Sequence, residues 1–140
     1  MLQIAYIREN QEQVVKALAK RNLDAAEMIQ KVIDLDEQRR ATQVELDNIL
    51  AESNKLSKEI GDLMRNGEKS KAEILKEKTA KHKERTAELK DVLNNVTEEL
   101  TQELYKLPNT PADIVPEGKS ADDNLNIFQS GEIPMLHEDA

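Results

Sequence analysis

The sequence predicts an all-α fold: a long antiparallel two-helix coiled-coil hairpin, with a short N-terminal helix packed at its base and an extended, proline-rich C-terminal neck. Two seams with heptad spacing flank one break at Asn66-Gly67, residues that tolerate positive φ and can end a helix. All four prolines lie at or beyond Pro108, so no proline interrupts the helical stretch. The 34% of charged and 2% of aromatic residues are typical of long helices rather than of a large compact core.

A short helix is predicted over residues 11–22, before the hairpin. Asn10 and Gln13 have the spacing of a capping box, in which both side chains bond backbone N–H groups at the helix start. Val14 and Leu18 then lie on one apolar face. We expect this face to pack at the base of the hairpin.

The hairpin helices are predicted at about residues 25–65 and 69–107. Asp24 and Glu27 repeat the capping-box spacing at the start of the first of them. Together with the short helix, they are expected to form an N-terminal domain over residues 1–107.

Both hairpin helices carry a seam of residues that alternate between heptad positions a and d, three and four residues apart. The first seam consists of Met28, Val32, Leu35, Arg39, Thr42, Leu46, Ile49, Ser53, Leu56, Ile60 and Leu63. The second consists of Ala72, Leu75, Thr79, His82, Thr86, Leu89, Leu93, Val96, Leu100, Glu103 and Leu107.

The two seams match each other in mirror image. Folding the chain at the break pairs Leu63 with Ala72 and Met28 with Leu107, and the two numbers of every pair add up to 135. One long parallel dimer is the competing structure, but Gly67 and the short connection favour the hairpin. Each arm is then roughly 55 Å long.

Beyond the hairpin, the chain changes in character. Prolines and glycines from Pro108 onward impose turns and extended backbone, so residues 108–140 are predicted to form a neck or linker. Only Asn124 to Phe128 has the composition of a short strand.

The composition excludes several kinds of site. The absence of cysteine rules out disulfides and cysteine-ligated zinc, and is compatible with a reducing cytosol. No apolar run approaches the roughly 20 residues that span a bilayer, and the amino terminus has no secretory signal. We find no Gly-rich phosphate loop, no nucleophile beside a base and no carboxylate cluster with ligand spacing, so no catalytic, cofactor-binding or metal site is assigned. We expect a cytoplasmic protein.

His82 is expected opposite Ser53, in a polar layer of the seam. A metal or catalytic role would need partners, and the other histidine, His137, lies far away in the tail. Polar residues at seam positions fix the register of a coiled coil, and we expect that role here. Arg39 and Glu103, also in seam positions, are expected near the solvated base or with their charged ends in water.

The charges are unevenly distributed along the chain. Residues 54–90 contain 11 lysines and arginines and seven acidic residues, a net charge of +4. Because the whole chain carries −8, the remainder carries −12. This asymmetry suggests a polyanionic partner for the basic part, and the alternative is an ordinary solvated helix face.

Two edges of the predicted hairpin differ in charge balance. Along the edge of the g positions, which precede a, Glu59 should lie near Lys78 and Glu52 near Arg85. Along the edge of the e positions, which follow d, four lysines recur every seven residues: Lys69, Lys76, Lys83 and Lys90. The residues expected opposite are Met64, Ser57, Leu50 and Gln43, none of them acidic.

A row of lysines without acidic partners suits a phosphate backbone, because each contact releases condensed counterions. Alternatively, the lysine stems cover the apolar Met64 and Leu50, and both roles can hold at once. We predict that these four lysines contribute more to polyanion binding than Lys78 and Arg85.

Motifs along the chain resemble those of a known family. The segment "NKLSKEIG" matches the approximate pattern N-x-x-S-K-x-I-G through Asn54, Ser57, Lys58, Ile60 and Gly61. The exit motif P-N-x-P, V-P-x-G and D-N is matched by Pro108, Asn109, Pro111, Val115, Pro116, Gly118, Asp123 and Asn124. With "IREN" near the amino terminus, essentially the whole chain resembles the amino-terminal domain of bacterial seryl-tRNA synthetases.

The resemblance implies a role in translation. In this family the hairpin projects from a class II catalytic domain and holds the long variable arm and elbow of serine-specific tRNA. The catalytic domain activates serine with ATP and magnesium and works as a dimer, so the implied parent is a homodimeric serine–tRNA ligase that does not bind membranes. The class II motifs are expected beyond residue 140, so no ATP, serine or magnesium site is assigned here. The predicted tRNA-binding residues are Lys69, Lys76, Lys83, Lys90, Lys58 and Arg65.

Two other functions remain open from the sequence. A generic coiled-coil protein-interaction module would explain the heptads, but not the exit motif or the one-sided lysines. A membrane-surface helix would need bulky apolar residues opposite its basic face, and the chain has one phenylalanine and no tryptophan.

Overall fold

Two long helices dominate the fold. The computed structural model describes residues 2–131, which contain four α-helices: Ile4–Glu9 (α1), Gln11–Ala19 (α2), Ala26–Arg65 (α3) and Lys69–Lys106 (α4). A 3-10 turn follows at Ala121–Asp123. The all-α prediction is confirmed, although α1 was not predicted. None of the helices within residues 2–131 has the length and apolar character needed to cross a membrane.

The helix α2 ends three residues before the predicted position because the chain reverses at Asn22. The φ angle of Asn22 is 56°, in the left-handed region. Its N–H donates to the carbonyl of Ala19 at 2.9 Å, and the N–H of Leu23 donates to the carbonyl of Leu18 at 3.3 Å. This is a Schellman arrangement in which asparagine takes the position usually held by glycine.

The tip of the hairpin ends α3 in the same way, with glycine. Gly67 has a φ of 78°, and its N–H donates to the carbonyl of Met64 at 3.3 Å. The N–H of Glu68 donates to the carbonyl of Leu63 at 2.9 Å, and α4 begins at the next residue. The predicted break is therefore confirmed, and α3 and α4 pack against each other as an antiparallel hairpin.

Neither predicted capping box forms. The side chain of Asn10 points back to α1, where Nδ2 donates to the carbonyl of Tyr6 at 3.1 Å. It does so because α1 ends directly before it and leaves carbonyls without helical partners. At the start of α3 the N-cap is Ala25, and Asp24 accepts only from the N–H of Ala26 at 3.4 Å.

The heptad seam is confirmed along the whole hairpin. Every predicted seam residue of α3 and α4 is buried or half-buried, whereas most residues on the outer faces are exposed. Ser53 Oγ lies 3.4 Å from His82 Nδ1, so this polar layer has the predicted partners and the predicted sum of 135.

The base of the hairpin holds the hydrophobic core. Ile7 of α1 and Val14 and Leu18 of α2 are fully buried there, so the predicted packing of a short helix at the base is confirmed. The buried core residues are Ile7, Val14, Leu18, Ala25, Ile29, Val32, Leu35, Val96, Leu100, Leu104 and Leu107. Full burial of one such leucine or isoleucine side chain contributes about 2 kcal/mol.

The neck follows the end of α4 at Lys106. The strand predicted for Asn124 to Phe128 is wrong, because within residues 2–131 no second strand pairs with it. Without such a partner its backbone groups face water, and Phe128 is 81% exposed. His137 lies outside the described residues.

Candidate nucleic-acid interface

The lysine row, defined as Lys69, Lys76, Lys83 and Lys90, runs along one edge of α4 from its first residue. All four side chains are exposed. A rise of 1.5 Å per residue places successive lysines about 10 Å apart, so the row extends over about 31 Å. Among residues 2–131, no carboxylate lies within 4.0 Å of any of these four ammonium groups.

The facing edge of α3 is neutral, as predicted. Ser57 donates to the carbonyl of Ser53 at 2.8 Å, and Gln43 donates to Asp47 at 2.9 Å. Met64 and Leu50 remain 44% and 39% exposed. Neither apolar residue is buried, so a cover of lysine stems over this edge would be incomplete, and the four lysines themselves stay exposed.

Lys58 and Arg65 lie elsewhere, seven residues apart on the outer face of α3. The side chain of Arg65 is 82% exposed, and its Nη1 lies 3.4 Å from Asp62 Oδ1. An ion pair this open to water contributes little and leaves the guanidinium accessible. Lys58 is exposed, and no carboxylate of the described chain lies within ion-pair distance of it. The structure therefore gives a basic edge on α4 and two separate cations on α3.

The opposite edge is neutralised, but with partners other than those predicted. Arg85 donates to Glu45 through Nε at 3.1 Å and Nη2 at 2.8 Å, and through Nη1 to Glu88 at 3.0 Å. The predicted Glu52–Arg85 pair is wrong, because these two carboxylates hold the guanidinium toward the base. The hydrogen bonds that Arg85 donates to Glu45, and then to Glu88, raise the pKa of Arg85. Glu52 instead lies 3.6 Å from His82 Nε2.

The predicted Glu59–Lys78 pair is also wrong. Both side chains are exposed, and no ion pair joins them within residues 2–131. Two flexible side chains in water gain little from holding one geometry, which is why heptad position alone did not ensure a contact. On the same face, Lys71 forms an ion pair with Glu68.

A buried carboxylate near the base was not predicted. Asp36 is 1% exposed and binds three arginines: Arg8 at 3.0 Å, Arg39 at 2.9 Å and Arg40 at 3.2 Å. Burial by itself would raise the pKa of this carboxyl, but the hydrogen bond and charge of Arg39, with the other two arginines, hold it below its usual value. The i,i+3 and i,i+4 spacing to Arg39 and Arg40 is a sequence signal that could have revealed it.

A second buried carboxylate explains a charged residue in the seam. Glu103 Oε1 accepts from Lys31 at 2.7 Å and from Lys106 at 2.9 Å. These two bonds lower the pKa of Glu103, and bonds to Glu103 and Glu99 raise the pKa of Lys31. Glu103 is thus a buried ion-pair partner rather than a side chain that reaches water.

The polar layer at His82 offers no metal centre. Its neighbours are Ser53 and Glu52, and residues 2–131 contain no group of three side chains suited to holding a metal ion. Its side chain is largely buried between the helices. The geometry supports the predicted role in register.

Comparison with known proteins identifies the family. The family model for the seryl-tRNA synthetase N-terminal domain matches residues 1–111. The chain belongs to the seryl-tRNA synthetase N-terminal domain family.

The curated relatives of this chain are much longer. The serine–tRNA ligase of Dictyoglomus turgidum is 39% identical over 138 residues, which cover 98% of this chain and 32% of the relative. That of Mesoplasma florum is 36% identical over 131 residues, 94% of this chain and 31% of the relative. The chain therefore spans about a third of the length of these curated relatives.

A solved structure has the same architecture. The seryl-tRNA synthetase from Pyrococcus horikoshii complexed with ATP matches with a TM-score of 0.81 and 32% identity. The match covers 91% of this chain and 28% of that one.

The predicted exit motif has a structural explanation in the turn at residues 118–123. Asp123 Oδ2 accepts from the N–H groups of Lys119 at 2.7 Å and Ser120 at 3.0 Å. These backbone bonds lower the pKa of Asp123. A Cβ atom at Gly118 would lie 2.7 Å from the Cβ of Asp123, so this close turn requires glycine.

Proposed function

We propose that residues 1–107 are the tRNA-binding arm of a serine–tRNA ligase, which holds the long variable arm and elbow of serine tRNA. The observation that carries this proposal is the lysine row: four exposed cations on one edge of a rigid helix, with no carboxylate of the described chain at ion-pair distance. The family membership adds that relatives are serine–tRNA ligases.

The row suits a phosphate backbone more than a base sequence. Structured RNA is recognised largely by shape and by backbone contacts. Lysine acts toward phosphate as a flexible point charge, whereas planar readout of a base edge favours arginine. Lys58 and Arg65 on α3 are proposed as secondary contacts, since they lie on a different face from the row.

The remainder of the proposal concerns the longer protein. Residues 108–140 would connect the arm to a class II catalytic domain that activates serine with ATP and magnesium and acylates tRNA. That enzyme would be a cytoplasmic homodimer. The arm would contribute by orienting the bound tRNA and would take no part in bond making.

The test compares two double substitutions that remove equal charge. Lys76→Gln/Lys83→Gln changes the row, and Lys71→Gln/Arg85→Gln changes two cations that already form ion pairs. Lys78 is unsuitable for the control, because it forms no ion pair within residues 2–131.

Titration of serine tRNA at several salt concentrations should show weaker binding for the row variant. The slope of log K against log salt should fall by roughly 0.7–0.9 for each lost phosphate contact, with little change in the control. A tRNA lacking the long variable arm should bind more weakly to the unsubstituted chain. A larger loss in the control variant, with both variants folded, would place the RNA on the other edge.

The full-length enzyme provides a second readout. The row variant should aminoacylate tRNA less efficiently and activate serine at the normal rate, because activation does not require the arm. If neither tRNA binds the unsubstituted protein, the generic coiled-coil interaction module becomes the better explanation.

A further inference from the structure

The turn between α2 and α3 contacts the neck through three consecutive residues. Lys20 Nζ donates to the carbonyl of Asp113 at 3.2 Å, and Arg21 Nη1 donates to that of Asn109 at 2.9 Å. Asn22 Nδ2 donates to the carbonyl of Gly118 at 2.7 Å. All three bonds link residues about 90 positions apart in sequence.

These bonds require the neck to curve around the turn. Residues 109 and 118 would lie roughly 30 Å apart in an extended chain. The three donors belong to adjacent residues, whose Cα atoms span at most about 7 Å. Arg21 and Asn22 are adjacent and bind the carbonyls of Asn109 and Gly118. They therefore hold the two ends of this ten-residue segment closer together than in an extended chain.

The three donors lie where α2 ends. The left-handed conformation of Asn22 closes that helix end, and Asn22 itself donates to the neck. On the other side, Asp123 closes the loop after Gly118 by binding two backbone N–H groups. Two folded turns thus meet, although the neck residues Ile114 and Val115 remain exposed.

We propose that Lys20, Arg21 and Asn22 form a polar clamp that fixes the direction in which the neck leaves the helical arm. Polar bonds hold this junction, whereas packed apolar side chains hold the base. The three residues would therefore be positioning residues. They set where the lysine row lies relative to whatever the neck leads to.

The clamp can be tested on the full chain by spin labelling, which is simple because the chain has no cysteine. Labels at Asn48→Cys on α3 and Glu117→Cys in the neck report the distance between arm and neck. Both positions are exposed. Arg21→Met/Asn22→Gly removes two donors, and glycine accepts the left-handed backbone at residue 22.

The matched control is Lys16→Met, an exposed lysine of α2 that makes no side-chain hydrogen bond to the neck within residues 2–131. We expect one narrow distance distribution for the unsubstituted chain and for this control, and a broad one for Arg21→Met/Asn22→Gly. Arg21→Lys alone, which keeps a cationic donor and leaves Asn22 in place, should retain much of the narrow distance distribution. Circular dichroism should show unchanged helix content. A distribution that is broad from the start, or stays narrow in the double variant, overturns the clamp.

The role of the clamp in aminoacylation rests on the proposed function. In the full-length enzyme, the double variant should lower kcat for tRNA aminoacylation by at least about tenfold, with little change in KM for tRNA and none in serine activation. The row variant should instead raise KM. An unchanged kcat despite a broadened distance distribution would overturn the positioning role. Failure of the unsubstituted protein to bind tRNA would count against the proposed function, while the label distances still decide the clamp.

Discussion

The base and the tip of the hairpin share one heptad pattern but are held together differently. At the base, α1 and α2 cover the seam, and Ile29 and Val32 are fully buried. Near the tip each long helix has only the other to pack against, and Ile60, Leu63 and Leu75 are half-buried. Two helices alone enclose fewer large side chains than the four helices at the base do, so the tip gains less from apolar burial.

Charge follows the same division. Near the base, cations surround the buried carboxylates Asp36 and Glu103, and their charges serve the fold. Toward the tip, the cations of the lysine row have no such partners within residues 2–131. One continuous rod thus separates an end whose charges stabilise the fold from an end whose lysines stay exposed.

Removing apolar volume should affect the two ends unequally. Leu18→Ala at the base should lower the free energy of unfolding by about 3 kcal/mol, because it leaves a cavity in a closed core. Leu75→Ala near the tip should lower the free energy of unfolding by about 1 kcal/mol, because Leu75 is already partly exposed to water. Urea denaturation measures both, and Ile74→Ala, at an exposed neighbour, is the control. Equal costs at Leu18 and Leu75 would remove the distinction between base and tip.

Removing the buried charge at the base should have the next largest effect. Asp36→Asn leaves three arginines without their carboxylate and should cost about 2 kcal/mol. The folded pKa of Asp36 lies below the ordinary 3.8, so its contribution is present above that pH and is lost as pH falls through the lower folded value. The substituted protein should therefore lose less stability than the unsubstituted one as the pH falls below 3.8. If the free energy of unfolding falls equally with pH in both proteins, Asp36 is not the source of this pH dependence.

Replacing the polar layer should make the tip more like the base. Ser53→Ala/His82→Leu exchanges a long hydrogen bond for apolar contact and should raise stability by about 1 kcal/mol. In the unsubstituted chain, we expect backbone amides near Thr79 and Thr86 to exchange hydrogen faster than those near Leu100. The double substitution should narrow that difference. Equal exchange rates at both ends before substitution would show that the polar layers do not weaken the tip.

A substitution in the neck should have the smallest effect on stability, and its effect should be confined to the turn at residues 118–123. Asp123→Asn should weaken the bonds to the backbone of Lys119 and Ser120, which NMR amide shifts would detect. Because the folded pKa of Asp123 lies below 3.8, acid should produce the same change in the unsubstituted chain as pH falls through that lower value. The melting of α3 and α4 should not change. A shift in their melting would mean that the neck supports the hairpin.

The hairpin could be predicted from sequence because it depends on patterns within each helix and on one short connection. Heptad spacing and one glycine determine which residues face each other, and Ser53–His82 has the predicted partners. Ion pairs could not be predicted in the same way. Arg85 can reach several carboxylates, and Glu88 on its own helix helps decide which one it binds.

The features that sequence reasoning missed depend on tertiary contact. The six residues of α1 are too few to show a periodic pattern, and the helix is stabilised by packing Ile7 into the base. The partners of Asp36 include Arg8, 28 positions away in sequence. The lysine row was visible because its residues share one helix.

The reversal at Asn66–Glu68 also governs how much of the chain must be ordered before a contact can form. The Ser53–His82 contact closes a loop of 29 residues, and the Lys31–Glu103 contact closes one of 72. In a flexible chain the longer closure costs roughly 1 kcal/mol more in entropy. Contacts near the tip thus form with a smaller loss of chain entropy, although they stabilise the fold less. Contacts at the base lose more entropy when they form and stabilise the fold more. A longer connection at the tip should slow folding and lower the stability of the hairpin together, because the entropy lost on closing the tip is not regained in the folded state.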